Sequence, residues 1–223
     1  MNILWSFTLV VGVVLQVLVI AALLQGSYRR FRVLFVYMVV LLLTTVAEAA
    51  AFYNANLFYR ASRYYWTIDA GRQVLIFLLV LSLIYGALEV NPKRSSIRRL
   101  LAICALAFVL VSLLLTHDPR VGHWMNNLSR NLGFLAVVLN LVLWAVLIKF
   151  GRADRTLLML SGGMGVQMAG KAIGHSLRQL SKTTELAGNL IIVVSHLLCL
   201  YIWWQAFRRD SPGHPFELQR QGP

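Results

Sequence analysis

Long apolar runs alternate with short polar connections along the chain. A helix needs about 20 apolar residues to cross roughly 30 Å of hydrocarbon, and seven runs approach or reach that length. These predicted spans cover residues 3–24, 33–53, 66–88, 99–116, 131–150, 157–177 and 189–207. The pattern predicts an all-α integral membrane protein, with a single bundle of seven transmembrane helices over residues 1–207 and a short basic cytoplasmic tail over 208–223.

The composition fits the membrane class. Hydrophobic residues make up 59% of the 223 positions, charged residues make up 13%, and the mean hydropathy is +0.70. A soluble domain carries about 25% charged residues. The net charge of +13 would suggest nucleic acid as the partner of a soluble protein. In a membrane protein, basic residues mainly set the orientation, so we expect a lipid bilayer and no nucleic acid.

Lysine and arginine are divided unequally between the two sides of the predicted bundle. With the N-terminus outside, thirteen lie on the inner side and six on the outer side. Positive charge collects on the cytoplasmic side of membranes. The predicted topology therefore has the N-terminus outside and the C-terminus cytoplasmic, in the cell (plasma or inner) membrane. Outer loops are expected near 54–65, 117–130 and 178–188.

Ionisable residues occur inside four of the predicted spans, the second, third, sixth and seventh. Each charge costs roughly 2.5–3.5 kcal/mol at the membrane centre on insertion scales, so each needs an explanation. Counting along the spans puts all of these residues in the outer half of the membrane. They are Glu48, Asp69, Arg72, Lys171, His175 and His196.

Two amides join this polar layer. Gln73 lies beside Arg72, and Gln167 begins a row with four-residue spacing that continues with Lys171 and His175. Residues spaced by four share one face of a helix. The whole set predicts either a buried polar network that locks helices together or a ligand cavity that opens outward between helices 2, 3, 6 and 7.

Three functions fit such a layer. The favoured one is a sensor or receptor-like module that binds a small polar ligand of unknown identity, with Asp69, Arg72 and Lys171 holding the ligand. Glu48 and the two histidines would tune the charge. The alternatives are a proton-coupled small-solute transporter and a non-catalytic membrane subunit of a larger complex. The tail carries no effector motif, so a signal would need a membrane or cytosolic protein partner.

Cofactor and catalytic signals are weak. His175 and His196 are candidate axial ligands of haem. They lie on consecutive spans and differ in depth by about five residues, roughly 7 Å, which disfavours that reading. The sequence contains no HExxH or GxSxG motif. We therefore expect no cofactor, no metal site and no enzymatic activity.

The sixth predicted span is rich in small residues. Gly170 and Gly174 form a GxxxG pair, and Ser161, Gly165 and Ala169 form a second ridge. Small residues allow helix backbones to approach each other without lipid between them. The spacing predicts that this span packs closely against a neighbouring helix.

Overall fold

A computed structural model of the chain describes residues 3–53, 55–87, 99, 103, 121–149, 154–180 and 184–210. The regular elements in this part of the chain are all helical, and it contains no strand. A π-helical turn over Leu23–Ser27 follows the first helix. The α-helices are α1 (Ile3–Ala22), α2 (Arg32–Tyr53), α3 (Ala55–Ala87), α4 (Val121–Lys149), α5 (Arg155–Leu180) and α6 (Glu185–Asp210).

Six predicted spans coincide with these helices. The fourth predicted span, residues 99–116, lies outside the described residues apart from Arg99 and Ile103. Helices α3 and α4 begin earlier than expected, so the loops predicted over 55–65 and 121–130 are wrong. Hydropathy marks where the chain leaves lipid, whereas a helix continues until a breaker stops it. Residues 55–65 contain neither glycine nor proline.

Three described helical segments have the length and composition of membrane spans. They are Ser6–Ser27, Arg32–Ala51 and Glu185–Arg208. Shorter apolar helical stretches occur at Gly71–Ala87 and Gly133–Ala145. These segments indicate a membrane protein. The number of seven spans, their orientation and the kind of membrane stay predictions.

The chain divides into two compact units. Unit 1 comprises residues 1–35 and 162–223, and unit 2 comprises residues 36–161. In unit 1, α1 packs against α6, and in unit 2, α3 packs against α4. Each unit has its own apolar core, and van der Waals packing holds such helices together in lipid. The largest fully buried apolar side chains include Leu23, Leu200, Trp203 and Phe207 in unit 1, and Leu79, Ile84, Leu143 and Leu160 in unit 2.

Candidate functional site

Arg72 of α3 is held by two side chains of α2. Its Nη1 lies 3.0 Å from Glu48 Oε1, and its Nε donates a hydrogen bond of 2.8 Å to Thr44 Oγ1. Thr44 and Glu48 are four residues apart, so the same face of α2 carries both. The guanidinium therefore bridges α2 and α3 inside unit 2, with one carboxylate and one hydroxyl as acceptors.

The Thr44 hydroxyl is itself fixed by the backbone of α2. It donates to the carbonyl oxygen of Val40 at 2.8 Å, and Leu41 O lies at 3.0 Å. The hydroxyl proton points to the backbone, which leaves the Oγ1 lone pairs for Arg72. Hydrogen bonds linked in this way polarise one another. Thr44 thus orients the arginine as well as bonding it.

The two charged partners differ in their surroundings. The Arg72 side chain is 21% exposed and the Glu48 side chain is 43% exposed. Within the part of the chain that the structure describes, the buried Nη2 of Arg72 has no hydrogen-bond partner. A buried donor without an acceptor costs about 1–3 kcal/mol, and more when the group is charged. The cluster therefore holds donor capacity that an additional acceptor would satisfy.

Two further predicted residues lie on the same stretch of α3. Asp69 is half-buried and precedes Arg72 by one turn. Gln73 packs against Gly133 of α4, where its Nε2 lies 2.9 Å from the position that a Cβ would occupy. The missing side chain of Gly133 gives the amide this room. Unit 2 thus brings the polar residues of α2 and α3 into one layer that extends to α4.

In unit 1, α5 and α6 approach each other closely at the GxxxG pair. A Cβ at Gly170 would overlap the Ser195 side chain, and one at Gly174 would overlap Ile192. Gly174 also faces the carbonyl oxygen of Gly188, 2.6 Å from the Cβ position. These contacts agree with the close packing that the spacing of Gly170 and Gly174 predicts.

Lys171 and His196 lie at the same level of this helix pair. Each directly follows a contact residue, Gly170 on α5 and Ser195 on α6, and both side chains are half-buried. His175 is exposed and lies about one turn further along α5, near 5–6 Å along the axis. The two histidines are therefore offset along the pair.

Gln167 lies one turn before Lys171 and is buried, with 6% of its surface exposed. The eight predicted residues thus fall into two groups of four. Unit 2 contains Glu48, Asp69, Arg72 and Gln73, and unit 1 contains Gln167, Lys171, His175 and His196. A single cavity lined by all eight stays a prediction.

Unit 2 also contains a buried polar pair that was not predicted from the sequence. The Ser161 hydroxyl donates to Asn140 Oδ1 at 2.9 Å, and Asn140 Nδ2 donates to the Ser161 carbonyl oxygen at 3.3 Å. Both residues are buried, and they join α4 to α5. The signal was present, because Asn140 is a lone amide within the apolar run of α4.

Comparison with known proteins assigns no family. No protein-family model, no curated protein and no solved structure matches the chain. Across the described residues, no three histidine, cysteine, aspartate or glutamate side chains are grouped to hold a metal ion. A function can therefore be proposed only from the chemistry of the two residue groups.

Proposed function

We propose that the protein is a sensor or receptor-like module of the cell membrane that binds a small polar ligand at Arg72. One observation carries the proposal. Arg72 has a carboxylate and a hydroxyl as partners, yet its buried Nη2 lacks an acceptor among the described residues. A guanidinium matches carboxylates and similar anions through paired N–H donors. The ligand class is therefore a small anion or a strong hydrogen-bond acceptor.

The exposure of Glu48 supports a route for the ligand. Its side chain is 43% exposed, so it has room to turn away from Arg72. Thr44 would keep the guanidinium in place while an incoming anion replaces the carboxylate. Arg72 would have one anionic partner before and after the exchange. Because Arg72 joins α2 to α3, the exchange would alter the contact between these helices, and a protein partner would receive that change.

Proton-coupled transport of a small solute is the second candidate. The observation that favours it is the same partly exposed carboxylate, Glu48, on a helix that is long and apolar enough to span a membrane. Titratable carboxylates inside membrane helices mark proton pathways in many transporters. In that function, protonation of Glu48 would release Arg72 to the solute.

A thermal-shift screen of small carboxylates, phosphates and sulfonates tests the proposal on the detergent-purified protein. A ligand at 100 times its Kd raises the free energy of unfolding by about 2.7 kcal/mol, which raises the midpoint of thermal unfolding by about 5–10 °C. We expect Arg72→Gln to abolish this shift. Arg155→Gln removes an equal charge from an exposed position outside the cluster, and it should retain the shift.

Two outcomes would contradict the binding role. An anion that stabilises Arg72→Gln as much as the parent protein would show that Arg72 is not the recognition group. Proton flux in sealed vesicles that disappears with Glu48→Gln, with no anion shift in the parent, would replace sensing by transport.

A further inference from the structure

Aromatic packing joins two distant parts of the chain at one end of unit 1. The rings of Phe31 and Phe207 lie 5.6 Å apart in an edge-to-face arrangement, and both side chains are buried. Phe31 belongs to the turn between α1 and α2, whereas Phe207 lies near the C-terminal end of α6. This contact brings the basic residues beside each phenylalanine to the same end of the unit.

Two arginines lie over aromatic rings at this end. The guanidinium carbon of Arg30 is 5.2 Å from the centre of the Phe31 ring, and that of Arg208 is 5.3 Å from the centre of the Trp204 ring. Stacking of this kind orients a guanidinium. Arg29 and Arg32 are exposed on the same turn. We name Arg29, Arg30, Arg32 and Arg208 the arginine collar.

The arginine collar coincides with the ends of all three described candidate spans. Ser6–Ser27 ends before it, Arg32–Ala51 begins at it, and Glu185–Arg208 ends at it. Apolar helices that end together place the collar at the boundary between hydrocarbon and headgroups. At that depth a phospholipid presents its phosphate.

The charge around the collar is strongly positive. Residues 23–35 contain three arginines and no aspartate or glutamate. On the α6 side, Arg209 and Asp210 follow Arg208 and balance each other in formal charge. An arginine near the membrane surface attracts anionic lipid by about 1 kcal/mol. The positive charge of four arginines at one site is greater than a zwitterionic headgroup would neutralise.

We propose that the arginine collar binds the phosphate of an anionic phospholipid headgroup. Arg30 and Arg208, oriented by their rings, would bind the phosphate oxygens, and Arg29 and Arg32 would add long-range attraction. The lipid would thereby connect the α1–α2 turn to the end of α6. The lipid site does not depend on the ligand site proposed at Arg72. Either proposal can be wrong while the other is right.

Native mass spectrometry of the detergent-purified full chain tests the site. Phosphatidylglycerol and phosphatidylcholine of equal chain length are the two probes, and the ratio of their bound fractions is the readout. Each stacked arginine should contribute about fivefold, so Arg30→Gln with Arg208→Gln should lower the preference for phosphatidylglycerol about 25-fold. Lysine at both positions keeps the charge but lacks the planar fork, and it should restore only part of the preference.

Arg178→Gln is the control for Arg30→Gln and Arg208→Gln made singly, because it removes one positive charge near the N-terminal end of α6, where the stem of Arg178 on α5 contacts Gly188. It should leave the lipid preference unchanged. If the double variant does not fold, Arg29→Gln with Arg32→Gln replaces it. Within the described residues, neither of these arginines stacks on an aromatic ring. An equal loss in Arg178→Gln, or no loss in either double variant, would overturn the proposal. Displacement of the lipid by millimolar inorganic phosphate would assign the site to a soluble phosphate instead.

Discussion

At the scale of single residues, two polar clusters of unit 2 join side chains on neighbouring apolar helices. Arg72 bonds Glu48 and Thr44, and Ser161 bonds Asn140. Lipid supplies no competing hydrogen bonds, so these pairs select which helix faces meet. The pairs differ in one respect. Ser161 and Asn140 bond each other in both directions, whereas Arg72 retains a buried donor without an acceptor within the described part of the chain.

Ser161→Ala tests the closed pair. The change removes the donor to Asn140 Oδ1 and should lower the free energy of unfolding by about 0.6–2 kcal/mol, the range of hydrogen bonds between membrane helices. The midpoint of unfolding in detergent measures the loss. In a double-mutant cycle with Asn140→Ala, the double variant should lose less stability than the sum of the losses in the two single variants. Strict additivity would mean that the pair contributes no coupling to stability.

The sequence alone does not identify which carboxylate pairs with Arg72. Depth along the spans makes both Glu48 and Asp69 suitable, and the structure has Glu48 at 3.0 Å. The choice depends on the rotation of α2 relative to α3. Helix periodicity within one element cannot give that rotation, because lipid-facing and helix-facing positions are both apolar in a membrane protein.

At the scale of elements, glycine determines how closely α5 and α6 pack. Gly174 faces the backbone oxygen of Gly188 as well as the Ile192 side chain. A backbone atom cannot rotate away as a side chain can. The GxxxG spacing made this packing predictable, whereas the helix ends were not. Helix α3 begins at Ala55, eleven residues before its predicted span, because no glycine or proline interrupts it there.

Gly174→Ala tests the contact. The added methyl group should destabilise the protein by about 1–3 kcal/mol, as overpacking does elsewhere. Thermal unfolding in detergent measures the effect. Gly86→Ala is the matched control, because the nearest atom to its Cβ position is Leu157 Cδ2 at 4.0 Å, an ordinary contact. A larger loss for Gly86→Ala than for Gly174→Ala would contradict the close packing of α5 on α6.

At the scale of the whole molecule, composition predicted the membrane class, and the structure contains three helical segments suited to span a membrane. Helix α5 is not among them, because Gln167, Lys171 and His175 interrupt its apolar residues. Such a helix fits a membrane only where its polar face is covered by protein or water. The predicted topology with the N-terminus outside gives Glu48 and Arg72 an outward position, which can be tested without a known ligand.

The most direct test is the reaction of Glu48→Cys with thiol reagents that do not cross membranes. Cys104→Ser and Cys199→Ala remove the two native thiols. Two methanethiosulfonates are added separately outside intact cells, one with a sulfonate and one with a trimethylammonium group. We expect both to react. With each rate divided by the reagent's rate with a free thiol, the sulfonate should be severalfold faster because Arg72 attracts it, and the difference should vanish with Arg72→Gln. Reaction only after permeabilisation, or equal normalised rates for both reagents, would contradict an outward-facing anion site at Arg72.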